Sequence, residues 1–434
     1  MTDFSAHRIA PGDADYVEKY NALLDELNAS VNAIKGQIGS TKVYEPDVHL
    51  FTENQAVKRA VGELSVERAT DATYFDKYGV LRTAAIDEIR LNEKGVLIED
   101  ESENLLVSAI PDESSWASTR CILASNSTKA PDGTQTASKL IVDDITTPPY
   151  IFQGYSSQYE YISGEHYTAA YFVKAGTASI ARVTLHSNAF SEASLTIDLV
   201  TGAVAAQDGV VSYKVIELHD GWFLLTLTAL SISSTSTYAP LLYVFNGDVG
   251  DYLYVWHAQL EKSSILTSPI DGGGTRIYDN INLPALNNIP ASTQPQSIAV
   301  YVEKYGFYDY EAVWAVGNIT DDYRMFFNLY LEQPFVQVTI GGEFISYPLG
   351  YVTEFKGLLI VTFDGVEASF YVNDVKVGSK IVSKTNSNVL DNPISFGHQA
   401  GTIRAKSIHL KDFRIWDGYV LSESDRALLL AEYS

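Results

Sequence analysis

The chain of 434 residues has one cysteine, Cys121, so an intrachain disulfide is excluded and the fold must be held together by packing. Basic residues are also scarce, because 30 Lys and Arg stand against 54 Asp and Glu and leave a formal net charge of −24. Such a field repels phosphate backbones, so we expect no nucleic-acid partner. No apolar run of about 20 residues occurs, which argues against membrane insertion. Residues 1–12 lack the basic start and apolar run of a signal peptide, so we expect folding in a cytoplasm.

Signatures of catalysis are missing as well. The sequence has no Gly-x-Ser-x-Gly elbow, no His-Glu-x-x-His zinc motif and no phosphate-cradling loop. Its histidines are scattered without the spacing of metal ligands. We therefore expect a protein that is not an enzyme and that needs no cofactor.

Aromatic residues are abundant, and tyrosine is far more frequent among them than tryptophan. Hydrophobic residues make up 46% of the chain, which is enough for real cores, and 28 residues are Tyr against 5 Trp. Tyrosine suits both β-sheet packing and wet recognition surfaces. The composition therefore favours a β-rich protein with a binding surface.

Apolar residues recur at heptad spacing through a predicted helix near the N-terminus, and Asp13 is its predicted N-cap. One helix cannot bury so narrow a stripe alone, so we expect copies of the chain to pack along it. β-Branched Val31 and Ile34 at adjacent core positions favour three chains over two. The predicted oligomerisation seam consists of Val17, Tyr20, Leu24, Leu27, Val31, Ile34 and Ile38.

Downstream of this helix, short alternating strands are separated by polar turns, a pattern typical of antiparallel β-sandwiches. We predict a mainly β fold in which a short coiled-coil helix precedes two tandem antiparallel sandwiches. Ser422 to Tyr433 is predicted as a closing helix, with Ser422 as N-cap and Asp425 at the capping-box position. The predicted division is an arm and anchoring helix at 1–40, a mixed connector at 41–100, a first sandwich at 101–280, a linker at 281–295 and a second sandwich at 296–434.

Short signatures follow one another in a fixed order through residues 80–280. They are Gly95-Val-Leu-Ile-Glu99, Asn104-Leu-Leu, Trp116, Ala130-Pro-Asp-Gly-Thr134, Lys139-Leu140, Tyr171-Phe-Val-Lys-Ala-Gly176, Asp220-Gly-Trp222, Gly250 to Glu261, Thr267-Ser268 and Thr275-Arg276. In this order they resemble a jelly-roll module that recurs in bacteriophage tail-fibre and other virion proteins. The resemblance implies a sandwich like those that bind carbohydrate.

The second predicted sandwich carries a different set of signatures. They are Phe370-Tyr-Val-Asn-Asp374, Ile394-Ser-Phe-Gly397, Phe413-Arg-Ile-Trp416 and Leu421-Ser-Glu-Ser-Asp425. This set resembles the laminin-G and concanavalin-like lectin and glucanase sandwich. No Glu-x-Asp-x-x-Glu strand of the glucanases occurs, so catalysis is not implied. The resemblance does imply a candidate calcium site at Asp321, Asp322 or Asp374.

Saccharide rings stack on exposed aromatic faces while nearby polar side chains hold their hydroxyls. The densest aromatic cluster provides the candidate carbohydrate-binding residues, which are Tyr305, Tyr308, Asp309, Tyr310, Trp314 and Tyr323. Tyr155, Tyr159 and Tyr161 form a second candidate cluster. The alternative is that these rings pack between sheets or between subunits. Trp222, Trp256 and Trp416 lie within strand patterns and are predicted to be core residues.

The functional interpretation rests on these resemblances. The string Asp15-Tyr-Val-Glu-Lys-Tyr-Asn21 is similar to phage tail proteins that anchor by their N-termini. Together they imply a homotrimeric virion protein, a tail fibre or tail-tip protein, that attaches to other tail or baseplate proteins through its N-terminus and adheres to host surface polysaccharide. One alternative is a purely structural head-fibre, decoration or baseplate protein without a ligand. Another is an accessory module of a cell-surface glycan hydrolase.

Overall fold

The computed structural model describes residues 44–433 except 154–157, 186–187, 192, 207–208, 239, 290–293, 308–309, 317–322, 331–332, 341, 383–391 and 400. The predicted N-terminal helix with its seam from Val17 to Ile38 lies outside the described residues. The described part is mainly β, as predicted, and it forms sandwiches of antiparallel sheets.

The strands are numbered in chain order. Up to Glu103 they are β1 (Val48–Leu50), β2 (Val57–Arg59), β3 (Ser65–Glu67), β4 (Ala72–Phe75), β5 (Leu81–Ala84), β6 (Leu91–Asn92), β7 (Gly95–Glu99) and β8 (Ser102–Glu103). The next are β9 (Trp116–Thr119), β10 (Cys121–Thr128), β11 (Ala137–Val142), β12 (Tyr150–Gln153), β13 (Gln158–Tyr161), β14 (His166–Ala175), β15 (Ile180–Thr184), β16 (Ser194–Asp198), β17 (Val204–Ala206), β18 (Val210–Glu217), β19 (Trp222–Leu230), β20 (Thr235–Tyr238), β21 (Leu241–Val244) and β22 (Tyr252–Glu261).

The remainder are β23 (Thr275–Arg276), β24 (Asn280–Pro284), β25 (Gln296–Tyr305), β26 (Glu311–Val316), β27 (Tyr323–Tyr330), β28 (Gln333–Ile340), β29 (Glu343–Pro348), β30 (Glu354–Phe363), β31 (Glu367–Val372), β32 (Val375–Ile381), β33 (Pro393–Phe396), β34 (His398–Gln399), β35 (Ile403–Arg404), β36 (Ser407–Asp417) and the helix α1 (Glu423–Ala431). Within the described residues, no helix is long and apolar enough to cross a membrane.

The first sandwich consists of two six-stranded sheets. Sheet A has the order β10-β11-β22-β14-β19-β18, and sheet B has the order β17-β16-β15-β21-β12-β9. Alternate residues of each strand point between the sheets, because successive side chains of a strand face opposite ways. Their buried core includes Leu140, Tyr171, Leu225 and Val255 from sheet A with Val183, Leu195 and Leu242 from sheet B.

Part of the outer face of sheet A is also covered. Phe172, Trp222 and Trp256 point away from the sandwich core and pack with Leu81 and Phe75 of the β4–β5 hairpin. Trp222 and Trp256 are therefore buried, as is Trp416 in the second sandwich, which confirms the prediction that these three indoles are core residues. Elsewhere on this outer face, Ile122 of β10 is 53% exposed, whereas Thr226 and Thr228 of β19 are buried.

The second sandwich consists of sheet C and sheet D. Sheet C has nine strands, with the order β2-β1-β36-β25-β30-β31-β32 and with β6 and β7 joined through β36. Sheet D has seven strands in the order β29-β28-β27-β26-β33-β24-β3. Val300, Leu359 and Phe413 of sheet C meet Met325 and Phe396 of sheet D in the core.

Helix α1 covers the outer face of sheet C. Ser422 caps the helix and forms a capping box with Asp425, as predicted. Leu429 is buried against the outer face of sheet C, and the ring of Tyr433 stacks on that of Tyr301 with centroids 4.2 Å apart. The outer face of sheet C is thus closed by the chain itself.

Two parts of the predicted division need correction. Residues 41–100 are not a separate connector, because β1, β2, β6 and β7 belong to sheet C and β3 to sheet D. Residues 281–295 are not only a linker, because β24 pairs with both β33 and β3. The strands before Glu99 have only two to five residues, too few to show an alternating pattern. In β24 the buried Ile281 and Leu283 alternate with Asn280 and Asn282, but the strand has only five residues and ends at Pro284.

Candidate functional site

Tyr305 lies where the two sandwiches meet, not on an open surface. The Nζ of Lys214, from β18 of the first sandwich, lies 2.9 Å from the centroid of the Tyr305 ring. The Nζ of Lys94 lies 5.8 Å from the same centroid, and the phenol donates to Glu303 at 3.3 Å. Burial, followed by the charge of Glu303, raises the pKa of Tyr305 to about 12. The half-buried ring of Tyr305 therefore packs between the modules, with Lys214 over it.

Trp314 was predicted to be a carbohydrate-binding residue, but it lies in the core of the second sandwich. The indole is 0% exposed and meets the ring of Phe413 edge to face at 5.9 Å. The pairing of β26 with β27 shifts register between Ala312 and Trp314. A bulge of this kind changes which residues of a strand face inward. Alternation in the sequence could not reveal the shift.

Tyr310 remains a surface residue. Its side chain is 42% exposed, and its ring centroid lies 5.5 Å from that of Phe326 on the outer face of sheet D. The backbone at Tyr310 has a φ of 62°, so the residue turns the chain into β26 and directs the ring toward sheet D. Tyr308 and Asp309, and the side chain of Tyr323, lie outside the described residues.

The outer face of sheet D is built from rows of residues paired across its strands. One row runs from Phe344 through Thr339, Arg324 and Ala315 to Ser395, in that order. The next row contains Ser346, Gln337 and Phe326. Because the residues between them face the core, these rows lie on one outer face beside Tyr310. On this face Phe344 and Ser346 are exposed and Arg324 and Gln337 are half-buried, whereas Thr339 and Phe326 are buried.

Hydrogen bonds fix the polar groups of this face. The Nε of Arg324 donates to the Oγ1 of Thr339 at 3.4 Å, and the guanidinium carbon lies 5.3 Å from the ring centroid of Phe326. The Nδ2 of Asn328 donates to the Oε1 of Gln337 at 3.0 Å. The amide of Gln337 and the guanidinium of Arg324 are therefore held on the same face as the exposed ring of Tyr310, whereas Thr339 and Asn328 are buried. This is the makeup of a shallow site for a neutral polyhydroxylated ligand.

Further rings border the same surface. Phe344 is 59% exposed, and the hydroxyl of the exposed Tyr351 accepts a hydrogen bond from the Nε2 of Gln333 at 2.9 Å. We call the surface formed by Tyr310, Arg324, Gln337, Thr339 and Phe344 the Tyr310 face. Phe344 and Arg324 were not predicted, although alternation along β27 and β29 is a signal that could have identified them.

One of the candidate calcium ligands, Asp374, is paired with an arginine. Asp374 lies in the turn between β31 and β32 and accepts from the Nε of Arg426 at 2.8 Å, so its charge is already neutralised by a helix residue. Asp321 and Asp322 lie outside the described residues. In the part of the chain that the structure describes, no three His, Cys, Asp or Glu side chains form a group that could hold a metal ion.

The second candidate aromatic cluster is structural where it is described. Tyr161 is fully buried, with its ring centroid 4.8 Å from that of Tyr167 and 4.9 Å from that of Phe190. The hydroxyl of Tyr159 donates to the Oε1 of Gln153. Tyr155 lies outside the described residues. Tyr161 is therefore excluded as a surface residue, in line with the alternative that these rings pack between sheets.

Sequence reasoning missed a buried ionic cluster between the modules. The guanidinium of Arg90 contacts Glu99 at 2.5 Å and also donates to Asp279, while Arg276 lies 3.1 Å from Glu99 and Arg68 lies 2.8 Å from Asp279. All five side chains are at most 2% exposed. Burial raises the pKa of Glu99, but Arg276 and Arg90 outweigh it and lower the value to about 2. Such a cluster is inaccessible to a substrate and acts as a structural joint.

Comparisons with known proteins assign no family. No protein-family model and no curated protein match the chain. Among solved structures, the receptor-binding domain of botulinum neurotoxin C/D mosaic serotype is 15% identical over 36% of this chain and 40% of that chain, with a TM-score of 0.29. The binding domain of Paraclostridial Mosquitocidal Protein 1 is 14% identical over 36% of this chain and 44% of that chain, with a TM-score of 0.26. The matched region spans less than half of these domains, and scores this low transfer no function.

Proposed function

We propose that this protein is a non-enzymatic adhesin of a bacteriophage particle, a tail fibre or tail-tip protein that binds host surface polysaccharide through the Tyr310 face. The observation that carries the proposal is the exposed ring of Tyr310, which lies 5.5 Å from the buried ring of Phe326 on the same face as the half-buried polar groups of Arg324 and Gln337. A ring of this kind covers the apolar face of a sugar, while the neighbouring donors and acceptors bind its hydroxyls.

The architecture supports a presenting role for this face. Helix α1 closes the outer face of sheet C, whereas the Tyr310 face has exposed rings at its border. Single shallow sites bind weakly, so adhesion requires several copies on one assembly. The predicted N-terminal seam would supply those copies by bringing three chains together. The assignment to a phage particle rests on the resemblances of the sequence.

The test is binding of the full-length protein to a glycan array that carries bacterial capsule and lipopolysaccharide oligosaccharides. We expect Tyr310→Ala to weaken binding about fivefold or more, because an aromatic contact contributes about 1 kcal/mol. Tyr78→Ala is the matched control, since Tyr78 is an exposed tyrosine far from sheet D in the sequence and on another hairpin. Equal affinities of Tyr310→Ala and the parent protein would refute the role of this face.

A structural role without a ligand is the second candidate. The burial of Tyr305, Trp314 and Tyr161 favours it, because three of the aromatic residues predicted to bind sugar instead hold the fold together. This alternative predicts no signal on the array for any variant. It also predicts that antibody labelling of intact particles locates the protein away from the tip of the tail.

A further inference from the structure

The outer face of sheet A carries a second row of aromatic and charged side chains. Across neighbouring strands, Lys139 of β11 pairs with Tyr254 of β22, which pairs with Lys174 of β14. The adjacent row pairs Tyr252 with Ile141, and Ile141 with Ile122, which is 53% exposed. The residues between them, such as Leu140 and Leu253, belong to the core of the first sandwich. The two lysines and two tyrosines therefore share one surface, which we call the Lys139 face.

Lys139 is held against a ring, and neither lysine of this face is held against a carboxylate. The Nζ of Lys139 lies 3.5 Å from the ring centroid of Tyr252, and the rings of Tyr252 and Tyr254 meet edge to face at 5.4 Å. Lys94, Lys304 and Lys356 each pair with a glutamate. Among the described residues, by contrast, neither Lys139 nor Lys174 has a carboxylate within ion-pair distance.

The nearest acid in the sequence does not neutralise this surface. Asp251, which precedes Tyr252, accepts from the backbone N–H of Asp248 at 2.9 Å, so its carboxylate is bound within its own turn. In a chain with a net charge of −24, this surface places two ammonium groups without an ion pair beside two tyrosines. An ammonium without a counter-charge attracts an anion, and the rings beside it offer apolar area.

We infer that the Lys139 face is a binding site for an acidic polysaccharide, in which Tyr252 and Tyr254 contact sugar rings and Lys139 and Lys174 bind anionic groups on successive residues. The two lysines are two strands apart, which places their backbones about 10 Å from each other. That separation suits charges repeated along a polymer better than a single free anion. The inference concerns the first sandwich and does not depend on the Tyr310 face.

The test compares binding of the full-length protein to polygalacturonate and to its methyl ester, which has the same backbone without the charges. We expect binding to polygalacturonate that weakens strongly between about 0.05 M and about 0.5 M salt, and weak binding to the ester. A poly(glycerol phosphate) chain tests whether phosphate replaces carboxylate. Lys139→Gln combined with Lys174→Gln should weaken binding about fivefold or more, because hydrogen bonds to charged groups exceed 1 kcal/mol.

Two controls separate the site from net charge and from misfolding. Lys376→Gln combined with Lys380→Gln removes the same two charges at exposed positions of strand β32 and should change the affinity less than twofold, within the range of surface substitutions. Lys139→Arg combined with Lys174→Arg keeps both charges and should retain binding. Unchanged binding by the double Gln variant, or equal binding of the methyl ester, would overturn the inference. Equal affinity for a single-stranded oligonucleotide would also overturn it, because the site would then select charge without sugar.

Discussion

The ammonium of Lys214 lies over the ring of Tyr305, and this contact connects β18 of the first sandwich to β25 of the second. Beside it, a Cβ added to Gly306 would lie 2.5 Å from Cγ1 of Ile265, so the Ile265 side chain fills the space that a larger residue would need. The two modules are therefore packed on each other at this point. The buried cluster around Arg90 and Glu99 extends the same joint.

The Lys214–Tyr305 contact should contribute measurably to stability. Replacing Tyr305 with Leu keeps apolar volume but removes the ring, and we expect a loss of roughly 1–2 kcal/mol, the range of a desolvated cation–π contact. Urea unfolding monitored by circular dichroism would measure the change. Lys214→Met and the double variant complete a cycle that isolates the pair. A coupling energy near zero would show that the ring stabilises the joint only by packing.

Glu99 should make the protein sensitive to acid. Its pKa in the folded protein is lowered from 4.5 to about 2, so the stabilisation from its charge is complete above pH 4.5 and is lost as the pH falls toward 2. The amount lost is on the order of 3 kcal/mol. Unfolding measured in urea at several pH values between 2 and 7 would show this slope.

Glu99→Gln provides the direct test of the cluster. We expect a loss of about 3–5 kcal/mol at pH 7, because Arg90 and Arg276 would then share too little counter-charge in a buried site. The variant should also lose the part of the acid sensitivity that belongs to Glu99. Asp144→Asn is a matched control, since the pair of Asp144 with Arg120 is largely exposed and screened by solvent and should contribute little to stability. Similar losses for the two variants would contradict the structural role.

Long strands and the terminal helix were predictable, because their local patterns are strong. Alternation and flanking turns predict strands at Tyr167–Val173 and Tyr252–Leu260, within two residues of β14 and β22, and the Ser422 capping box predicts α1. The short strands up to Glu103 were not predictable, because several have only two or three residues, and β1, β3 and β8 pair with β36, β24 and β23 far along the chain. Their pairing is a tertiary property that overrides local propensity.

The candidate site was only partly predictable. The sequence does not show whether an aromatic side chain is exposed or buried. It therefore could not distinguish the exposed Tyr310 from Tyr305 and Trp314. Tyr305 is covered because the two modules pack together there, and Trp314 faces the core because of the bulge before it. The Lys139 face combines residues that are more than one hundred positions apart, so the sequence alone could not assemble it.

Asn104 should be among the least replaceable residues of the first sandwich. Its Nδ2 donates to the carbonyls of Ala258 and Ile270, and its Oδ1 accepts from the backbone N–H groups of Leu106 and Leu260. Asn104→Ala would leave all four buried backbone groups without this partner, and we expect a loss of about 3 kcal/mol or more. Thermal unfolding would measure it. Gln135→Ala, at an exposed position, should cost less than about 0.5 kcal/mol.

Helix α1 should be stabilised by its N-cap. Ser422→Ala removes the side chain that accepts from the backbone N–H of Asp425, and we expect a loss of about 1 kcal/mol. Leu429→Ala should cost about 2–5 kcal/mol, because it opens a cavity on the outer face of sheet C. Glu423→Gln changes an exposed residue of the same first turn and serves as the control. Equal effects of Ser422→Ala and Glu423→Gln would show that the cap does not stabilise the helix.

The predicted seam from Val17 to Ile38 should determine how many copies of the binding faces act together. Leu24→Asp places a charge in the centre of the apolar stripe, so we expect the mass measured by light scattering to fall from that of a trimer to that of a single chain. Asn28→Asp introduces the same charge at a polar position between seam residues and should leave the mass unchanged. Loss of the assembly should weaken adhesion to a polysaccharide-coated surface much more than binding to a soluble oligosaccharide, because only the surface is bound multivalently. An unchanged mass for Leu24→Asp would instead assign any association between chains to the sandwiches.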